Sequence, residues 1–224
     1  MNIEAYHQIV NELNEYSAQL VAVSKTKPIE DIQALRQEGQ VVFGENKVQE
    51  MCLKHEQLEG KGIQWHMIGH LQRNKVKYMA PFVSLVHGID SLRLIKELNK
   101  QGAKAGRAIP CLLQMHIAEE STKFGLDRAE LEEVLQYLSD EKPENLRVSG
   151  LMGMATNTDS HGQVAREFNG LHKLFEELKN SSFEGDTDFR VLSMGMSGDY
   201  KIALQEGSNM VRVGSLIFGA RNYA

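Results

Sequence analysis

The sequence predicts a single-domain α/β protein folded as a closed (β/α)8 TIM barrel. Eight short apolar runs, each suited to a buried strand, alternate with amphipathic helical stretches. Strands that alternate with helices form a parallel sheet, and eight such units fit a closed barrel. The turn after the first run contains Lys25 and Pro28 but no glycine, which disfavours an open doubly wound sheet with its glycine-rich first turn.

The elements follow one another in a regular order. An opening helix is indicated by Ile9, Leu13 and Tyr16, which recur at roughly helical spacing. The predicted strands are Leu20–Val23, Val41–Phe43, Ile63–Ile68, Phe82–Val86, Ile109–Ile117, Leu146–Leu151, Phe189–Leu192 and Asn209–Val213. The predicted helices between them are Ile29–Gln37, Glu45–Leu58, Arg73–Met79, Ser91–Lys104, Asp127–Leu138 and Gly162–Lys179. The polar segment 180–188 is predicted to be a solvated loop before the seventh strand.

Composition narrows the class of protein. At 224 residues the chain can bury one full core, and no linker divides it, so residues 1–224 are expected to form one domain. The net charge of −5 argues against a nonspecific nucleic-acid binder, which would be basic. Cys52 and Cys111 match no metal or redox spacing, and neither a signal peptide nor a long apolar stretch is present. We therefore expect a cytoplasmic protein that does not enter a membrane.

Lys25 is the first candidate functional residue. It follows the apolar run Leu20–Val23 and precedes Pro28, which places it where a strand passes into a loop. Partial desolvation at such a position lowers the pKa of a lysine, and a neutral amine can attack an aldehyde. This segment alone leaves two interpretations open: a Schiff-base lysine, or a strand-end lysine whose ammonium reaches water.

Two loops of small residues accompany the last two strands. The first contains Gly195, Ser197 and Gly198, and the second contains Gly214 and Ser215. Glycine lets the backbone approach a phosphate, a serine hydroxyl donates a hydrogen bond, and a following helix presents free N–H groups. The first loop lacks the glycine spacing of a hydrolase elbow, so Ser197 is not interpreted as a nucleophile. Either loop alone would be an ordinary turn, but the pair predicts a phosphate site.

Closing the barrel brings these groups together. Active sites in such barrels lie at the carboxyl ends of the strands, and a phosphate site commonly follows strands seven and eight. Strand one adjoins strand eight, so Lys25 is expected to face the phosphate site. Arg212 lies two residues before Gly214 and points to the same side of the strand, where its guanidinium could reach a ring nitrogen. A lysine beside a phosphate site predicts pyridoxal 5′-phosphate (PLP) as the cofactor.

At several places along nearly its whole length, the chain resembles the pyridoxal phosphate homeostasis proteins, which are single-domain relatives of the alanine racemase barrel. The resemblance lies in ordered blocks of sequence at residues 21–28, 43–50, 65–75, 123–125, 150–154, 193–199 and 212–219. Several spaced blocks in the right order make the resemblance specific.

The resemblance implies a set of site residues. Lys25 would carry PLP covalently as a Schiff base. Ser197, Gly214 and Ser215 would hold the phosphate, with Ser215 standing where the family more often has threonine. Two further residues would contact the ring. Arg212 would face the pyridine nitrogen, and Asn46 would line the ring pocket.

The resemblance also implies a role in intracellular PLP (vitamin B6) homeostasis, in a monomer, with PLP-dependent apoenzymes as candidate recipients. Robust catalytic turnover is not expected. A permanent cation such as Arg212 beside the ring nitrogen disfavours ring protonation and weakens the ring as an electron sink. A racemase needs acid/base groups on both ring faces, and no tyrosine here can be matched to the opposing base that alanine racemases bring with a second, β-rich domain.

Two other functions remain open at this stage. One is a PLP-dependent amino-acid racemase or lyase of fold type III, which would require proton-transfer groups on both faces of the ring. The other is a scaffold or regulator of cell division or RNA, which would not require Lys25.

Several other polar groups have a structural interpretation. His66 and His70 are four residues apart, but they fall on a strand and the loop after it, so no metal site is predicted. The basic residues Arg73, Lys75 and Lys77 are expected to form a solvated helix face, with an RNA or partner contact as the weaker alternative.

Two further lysines and two tyrosines lie near the predicted site. Lys27 is expected to face solvent or to assist phosphate exchange, and Lys123 is a candidate transient acceptor of the cofactor. Tyr200 and Tyr223 are expected to pack rather than to act as bases.

Overall fold

Eight parallel strands close into a barrel in the order β1 to β8, so the predicted (β/α)8 fold is confirmed. The computed structural model describes residues 1–120 and 123–219. The strands are β1 Gln19–Val23, β2 Val42–Glu45, β3 Gln64–Met67, β4 Leu85–Ile89, β5 Ile109–Met115, β6 Leu146–Gly153, β7 Val191–Met196 and β8 Met210–Val213.

Helices surround the barrel because each strand leads into a helix that covers the outer face of the sheet. The helices of the described residues are α1 Ile3–Glu15, α2 Ile29–Gln37, α3 Val48–Gln57, α4 Val76–Met79, α5 Leu92–Ala105, α6 Arg128–Glu141, α7 His161–Lys179, α8 Tyr200–Gln205 and α9 Ser215–Phe218. Among these described helices, none is both long enough and apolar enough to cross a membrane.

Two layers of apolar side chains hold the barrel. The larger lies between the strands and the helices, where Phe43 and Trp65 are fully or almost fully buried. A separate, smaller cluster takes residues from six strands and fills the barrel interior. Its members are Val21, Val42, Leu85, Leu112, Met152 and Met210. The alternation of inward and outward side chains along each strand produces these two layers.

The bounds of β4 differ from the prediction. The expected strand Phe82–Val86 lies three residues too early, since β4 runs over Leu85–Ile89. Phe82 belongs to the turn after α4, where its ring stacks on His55 at a centroid distance of 3.9 Å. His87, which follows the predicted strand, lies fully buried within β4, where its ring has hydrogen-bond partners.

Several other bounds also change, and three of these changes involve polar residues. β7 continues to Met196 rather than ending at Leu192, because Ser193 finds partners inside the barrel. The expected helix Glu45–Leu58 begins only at Val48, since Glu45 belongs to β2. The expected helix Arg73–Met79 is a 3-10 turn followed by the short helix α4.

Gly150 permits the close approach of β6 and β7. Its φ of +146° is one that residues with a side chain rarely adopt. A Cβ atom built on Gly150 would lie 1.8 Å from the carbonyl oxygen of Val191 on β7. Strand β6 must therefore have glycine here for the barrel to close at its observed spacing.

We expect Gly150→Ala to lower the free energy of unfolding by about 3 kcal/mol, because the methyl group requires both a strained φ and displacement of β7. Chemical denaturation measures this change. Gly170→Ala is the matched control, since Gly170 lies exposed in α7 with nothing within 4 Å of an added Cβ. That control should raise stability by up to about 1 kcal/mol. Equal effects in the two variants would contradict the close-approach explanation.

Candidate functional site

A cavity of ≈ 420 Å³ opens at the carboxyl end of the barrel. Its volume lies within the range of small-molecule sites. The structure brings together around it all six residues that the sequence singled out, although their roles remain predictions. These six residues are Lys25, Asn46, Ser197, Arg212, Gly214 and Ser215.

Lys25 lies in the loop that follows β1, two residues beyond Val23. Its side chain lines the cavity and is half-buried. The next residue, Thr26, has a φ of +62°, which is the left-handed region that β-branched residues avoid. The loop therefore turns sharply immediately after Lys25.

Lys27 does not simply face solvent, which corrects one part of the expectation for it. Its ammonium donates hydrogen bonds to the carbonyl oxygens of Phe218 and Gly219, at 2.9 and 3.3 Å. These carbonyls lie at the carboxyl end of α9, where a cation is favoured. Lys27 also lines the cavity, so it links the loop after β1 to the segment after β8.

The two small-residue loops meet directly. The backbone N–H of Gly214 donates to Ser197 Oγ at 3.3 Å, which joins the loop after β7 to the loop after β8. A Cβ atom on Gly214 would lie 3.0 Å from the Val23 carbonyl oxygen, so glycine lets β8 end against β1. Gly198 has open space where a side chain would be. The loops thus form a concave wall of backbone and hydroxyl groups at the cavity.

Arg212 is almost completely buried at the inner end of the cavity. Its guanidinium donates from Nη1 to the carbonyl and hydroxyl oxygens of Ser193, at 2.9 and 2.6 Å, and from Nη2 to the Gly153 carbonyl at 3.1 Å. Burial lowers the pKa of Arg212 to about 10, with Asp199 acting in the opposite direction. The side chain is therefore a fixed cation at neutral pH.

A chain of hydrogen bonds leads from Arg212 into the barrel. Ser193 Oγ lies 3.2 Å from His87 Nδ1, and His87 Nε2 lies 3.0 Å from His66 Nδ1. Arg212 can only donate, so Ser193 Oγ accepts from it. Among the described contacts of Ser193, His87 Nδ1 is then the acceptor available to the hydroxyl hydrogen. This assignment leaves His87 protonated on Nε2, from which it donates to His66 Nδ1.

Both histidines of this hydrogen-bond chain are neutral. Burial lowers the pKa of His66 to about 3. Burial, with His66 and Arg212 adding to it, holds the pKa of His87 well below its ordinary value. The sequence analysis considers His66 only with His70, without pairing them, and does not identify His87. The available signal was the alternation in β4, which sends Leu85 and His87 to the same face of the strand.

Asn46 follows β2 and presents an unused acceptor. Its Oδ1 atom is buried and has no hydrogen-bond partner in the described structure. A buried polar atom of this kind normally has a partner, so a bound ligand with a donor group would complete it. Gly69 keeps the segment in place, since a Cβ there would lie 2.4 Å from the Asn46 carbonyl oxygen.

The opposite side of the cavity carries aromatic and amide groups. His70 stacks on Phe124 with ring centroids 4.2 Å apart, and His70 Nδ1 lies 3.0 Å from Asp90. Gln114 Nε2 donates to the Phe124 carbonyl at 2.8 Å. His70 therefore contacts Asp90 rather than His66. Within the described ranges, no group of three or more His, Cys, Asp or Glu residues is arranged to hold a metal ion.

Lys123 and Tyr200 lie outside the cavity lining. Lys123 donates to the Ala155 carbonyl and lies 3.3 Å from Glu120, which holds it across two neighbouring loops. Tyr200 is buried and donates to Glu12 at 2.7 Å, in agreement with a packing role. Tyr223 falls outside the described residues.

Comparison with known proteins finds close relatives. A family model for the alanine racemase N-terminal domain matches residues 2–222. A pyridoxal phosphate homeostasis protein of Vibrio alginolyticus is 40% identical over 212 residues, which cover 93% of this chain and 88% of that protein.

Two solved structures of PipY from Synechococcus elongatus are also similar. The structure without PLP has a TM-score of 0.89 at 31% identity and covers 96% of this chain and 99% of PipY. The structure with PLP bound has a TM-score of 0.82 at 32% identity and covers 91% of this chain and 93% of PipY.

The neutral histidine pair predicts a loss of stability in acid. The unfolded chain binds a proton on His66 below pH about 6.5, whereas the folded protein does so only near pH 3. The stability that this group contributes is therefore complete above pH 6.5 and is lost as the pH falls toward 3. The expected slope from His66 is about 1.4 kcal/mol per pH unit between pH 6 and 4.

His66→Asn tests this slope, because the asparagine oxygen can accept the bond from His87 without titrating. Urea unfolding at several pH values should show a flatter dependence for the variant by about that amount. Equal slopes for the variant and the wild type would show that His66 is not buried in neutral form.

Proposed function

The chain belongs to the pyridoxal phosphate homeostasis protein family, and on that premise we propose that it binds PLP as a Schiff base on Lys25. Its role in the cell is intracellular PLP (vitamin B6) homeostasis. Residues 1–224 act as one PLP-binding barrel related to alanine racemase. The observation that carries this proposal is the ≈ 420 Å³ cavity at the carboxyl end of the barrel, because an amine, two serine hydroxyls and a buried guanidinium all line it. A relative with PLP bound supports it.

The lining fits PLP in its chemistry. Bound PLP supplies an aldehyde on an electron-withdrawing ring together with a phosphate. Lys25 would provide the amine for a Schiff base with that aldehyde, with the loss of one water molecule. Ser197, Gly214 and Ser215 supply hydroxyl and backbone donors for the phosphate, and Gly198 leaves open space beside them.

Arg212 and Asn46 act at the ring. Arg212 is held by three bonds to neutral oxygens, so its charge is not offset by a contacting carboxylate in the described residues. A fixed cation beside the ring nitrogen would disfavour protonation of that nitrogen. The ring would then stabilise a carbanion less well, which favours a carrier over a catalyst of carbanion chemistry. Asn46 lines the ring pocket and offers its unused Oδ1 acceptor.

The cavity lining also favours binding without robust turnover. Among the described residues that line it, Tyr, Cys, Asp and Glu do not occur. The ionisable side chains of this lining besides Lys25 and Arg212 are Lys27, which donates to two backbone carbonyls, and His70, which contacts Asp90. A racemase or lyase needs proton-transfer groups on both faces of the ring. Saturable turnover of an amino acid by the PLP-loaded protein would reverse this part of the proposal.

We propose that the protein acts as a monomer in the cytoplasm and hands PLP to PLP-dependent apoenzymes. Cys52 and Cys111 are free thiols, which suits a reducing compartment.

Lys25→Ala should abolish the absorbance band near the visible edge that wild-type protein shows when PLP is added. Borohydride reduction followed by peptide mass mapping should place the label on Lys25 in the wild type. Lys100→Ala is the matched control, because Lys100 is exposed on helix α5. It should retain both the band and the label. A label on another lysine in the wild type would overturn the assignment of Lys25.

Ser197→Ala should weaken PLP binding about tenfold, since one hydrogen bond to a charged phosphate is lost. Binding of pyridoxal, which lacks the phosphate, should change little. Dissociation constants come from absorbance titrations of each ligand with wild type and variant. Equal weakening for both ligands would show that Ser197 holds the Gly214 loop rather than the phosphate.

A further inference from the structure

A cluster of three charged residues lies behind the loop that carries Lys25 and outside the cavity lining. We name Glu45, Glu50 and Lys54 the clamp. Lys54 Nζ lies 2.8 Å from Glu45 Oε1 and 2.7 Å from Glu50 Oε1. Glu45 is fully buried and Lys54 is 6% exposed. One ammonium is therefore shared by a fully buried carboxylate and a partly exposed one, Glu50.

The clamp holds the residues on both sides of Lys25. On the preceding side, Ser24 Oγ donates to Glu45 Oε1 at 2.6 Å, and Lys54 Nζ donates to the Ser24 carbonyl at 2.8 Å. On the following side, the Thr26 N–H donates to Glu50 Oε1 at 2.6 Å. The three bonds fix the backbone before and after Lys25, so the clamp limits the directions in which its side chain can extend.

The backbone at this point requires such support. The φ of +62° at Thr26 is an outlier for a β-branched residue. Strained conformations persist only where surrounding groups hold them, and they concentrate at functional sites. Two contacts hold this one: the Thr26 N–H donates to Glu50 Oε1, and the Lys27 N–H donates across the turn to the Ser24 carbonyl at 3.0 Å.

Stability alone does not account for the clamp. Buried ion pairs often contribute no more to stability than apolar side chains of the same volume. Burial raises the pKa of Glu45 although Lys54 opposes the shift, and Glu45 Oε2 is buried without a partner in the described structure. The arrangement is thus costly, and its hydrogen bonds converge on the two neighbours of Lys25.

We infer that Glu50, with the Glu45–Lys54 pair behind it, is a positioning residue that aims Lys25 into the cavity for attack on the aldehyde. This inference rests on the proposed function. Holding an amine near its attacking geometry accelerates its reaction, and a small displacement slows it strongly. Loss of the Glu50 acceptor should therefore slow covalent capture of PLP far more than it lowers stability.

The first test uses the protein without PLP. Glu50→Met removes the acceptor, Glu50→Gln keeps an oxygen in its place, and Glu56→Met makes the same chemical change at an exposed position of α3. Hydrogen exchange of the Thr26 amide should be about tenfold faster in Glu50→Met. Exchange in the other two variants should match the wild type. Unchanged exchange in Glu50→Met would overturn the inference.

The second test measures the rate of covalent capture of PLP by stopped-flow absorbance, together with thermal unfolding. Glu50→Met should react about tenfold more slowly, while its melting temperature stays near that of Glu56→Met. Glu50→Gln should recover the wild-type rate. A wild-type rate in Glu50→Met, or an equally slow Glu50→Gln, overturns the inference and leaves Lys25 as the carrier. If wild-type protein captures no PLP, the proposed function fails and the inference fails with it.

Discussion

The pairing of β1 with β8 is the constraint on which the rest of the site depends. Residues Gln19 to Ala22 run parallel to Met210 to Val213, in a register that sets Val21 beside Arg212. Parallel strands end at the same edge, so the loop after β1 and the loop after β8 meet there. Gly214 permits this contact because it has no Cβ atom to press against the Val23 carbonyl oxygen. Without ring closure, the lysine and the phosphate-type loops would belong to opposite edges of an open sheet.

Much of this arrangement was predictable from sequence. The alternation of apolar runs and helices identified the barrel, and barrel geometry sends the ends of all eight strands to one face. Residues just beyond a strand end, such as Lys25, Asn46 and Ser197, could therefore be assigned to one cavity without knowledge of any contact. Such an assignment requires only the strand order, which a closed barrel fixes.

Polar residues within strands escaped prediction. The pattern predicts Glu45 in a helix and Ser193 in a loop, and it says nothing of His87, yet all three residues lie in strands. Each stays inside because its partner comes from elsewhere in the chain, as Ser193 shows with His87, which lies 106 residues away. Propensity and periodicity describe a residue and its near neighbours, so they do not identify such partners. The anchoring of Lys27 by Phe218 and Gly219 escaped for the same reason.

The hydrogen-bond chain that begins at Arg212 also has a polarity. Two imidazoles and a hydroxyl in a row could be ordered in either of two senses, with every hydrogen reversed. A guanidinium at one end favours one sense, because it only donates and so leaves the hydroxyl hydrogen of Ser193 for His87. In the reverse sense that hydrogen would have no acceptor among the described contacts of Ser193. The orientation of the hydrogens at the centre of the barrel thus depends on the cation at its open end.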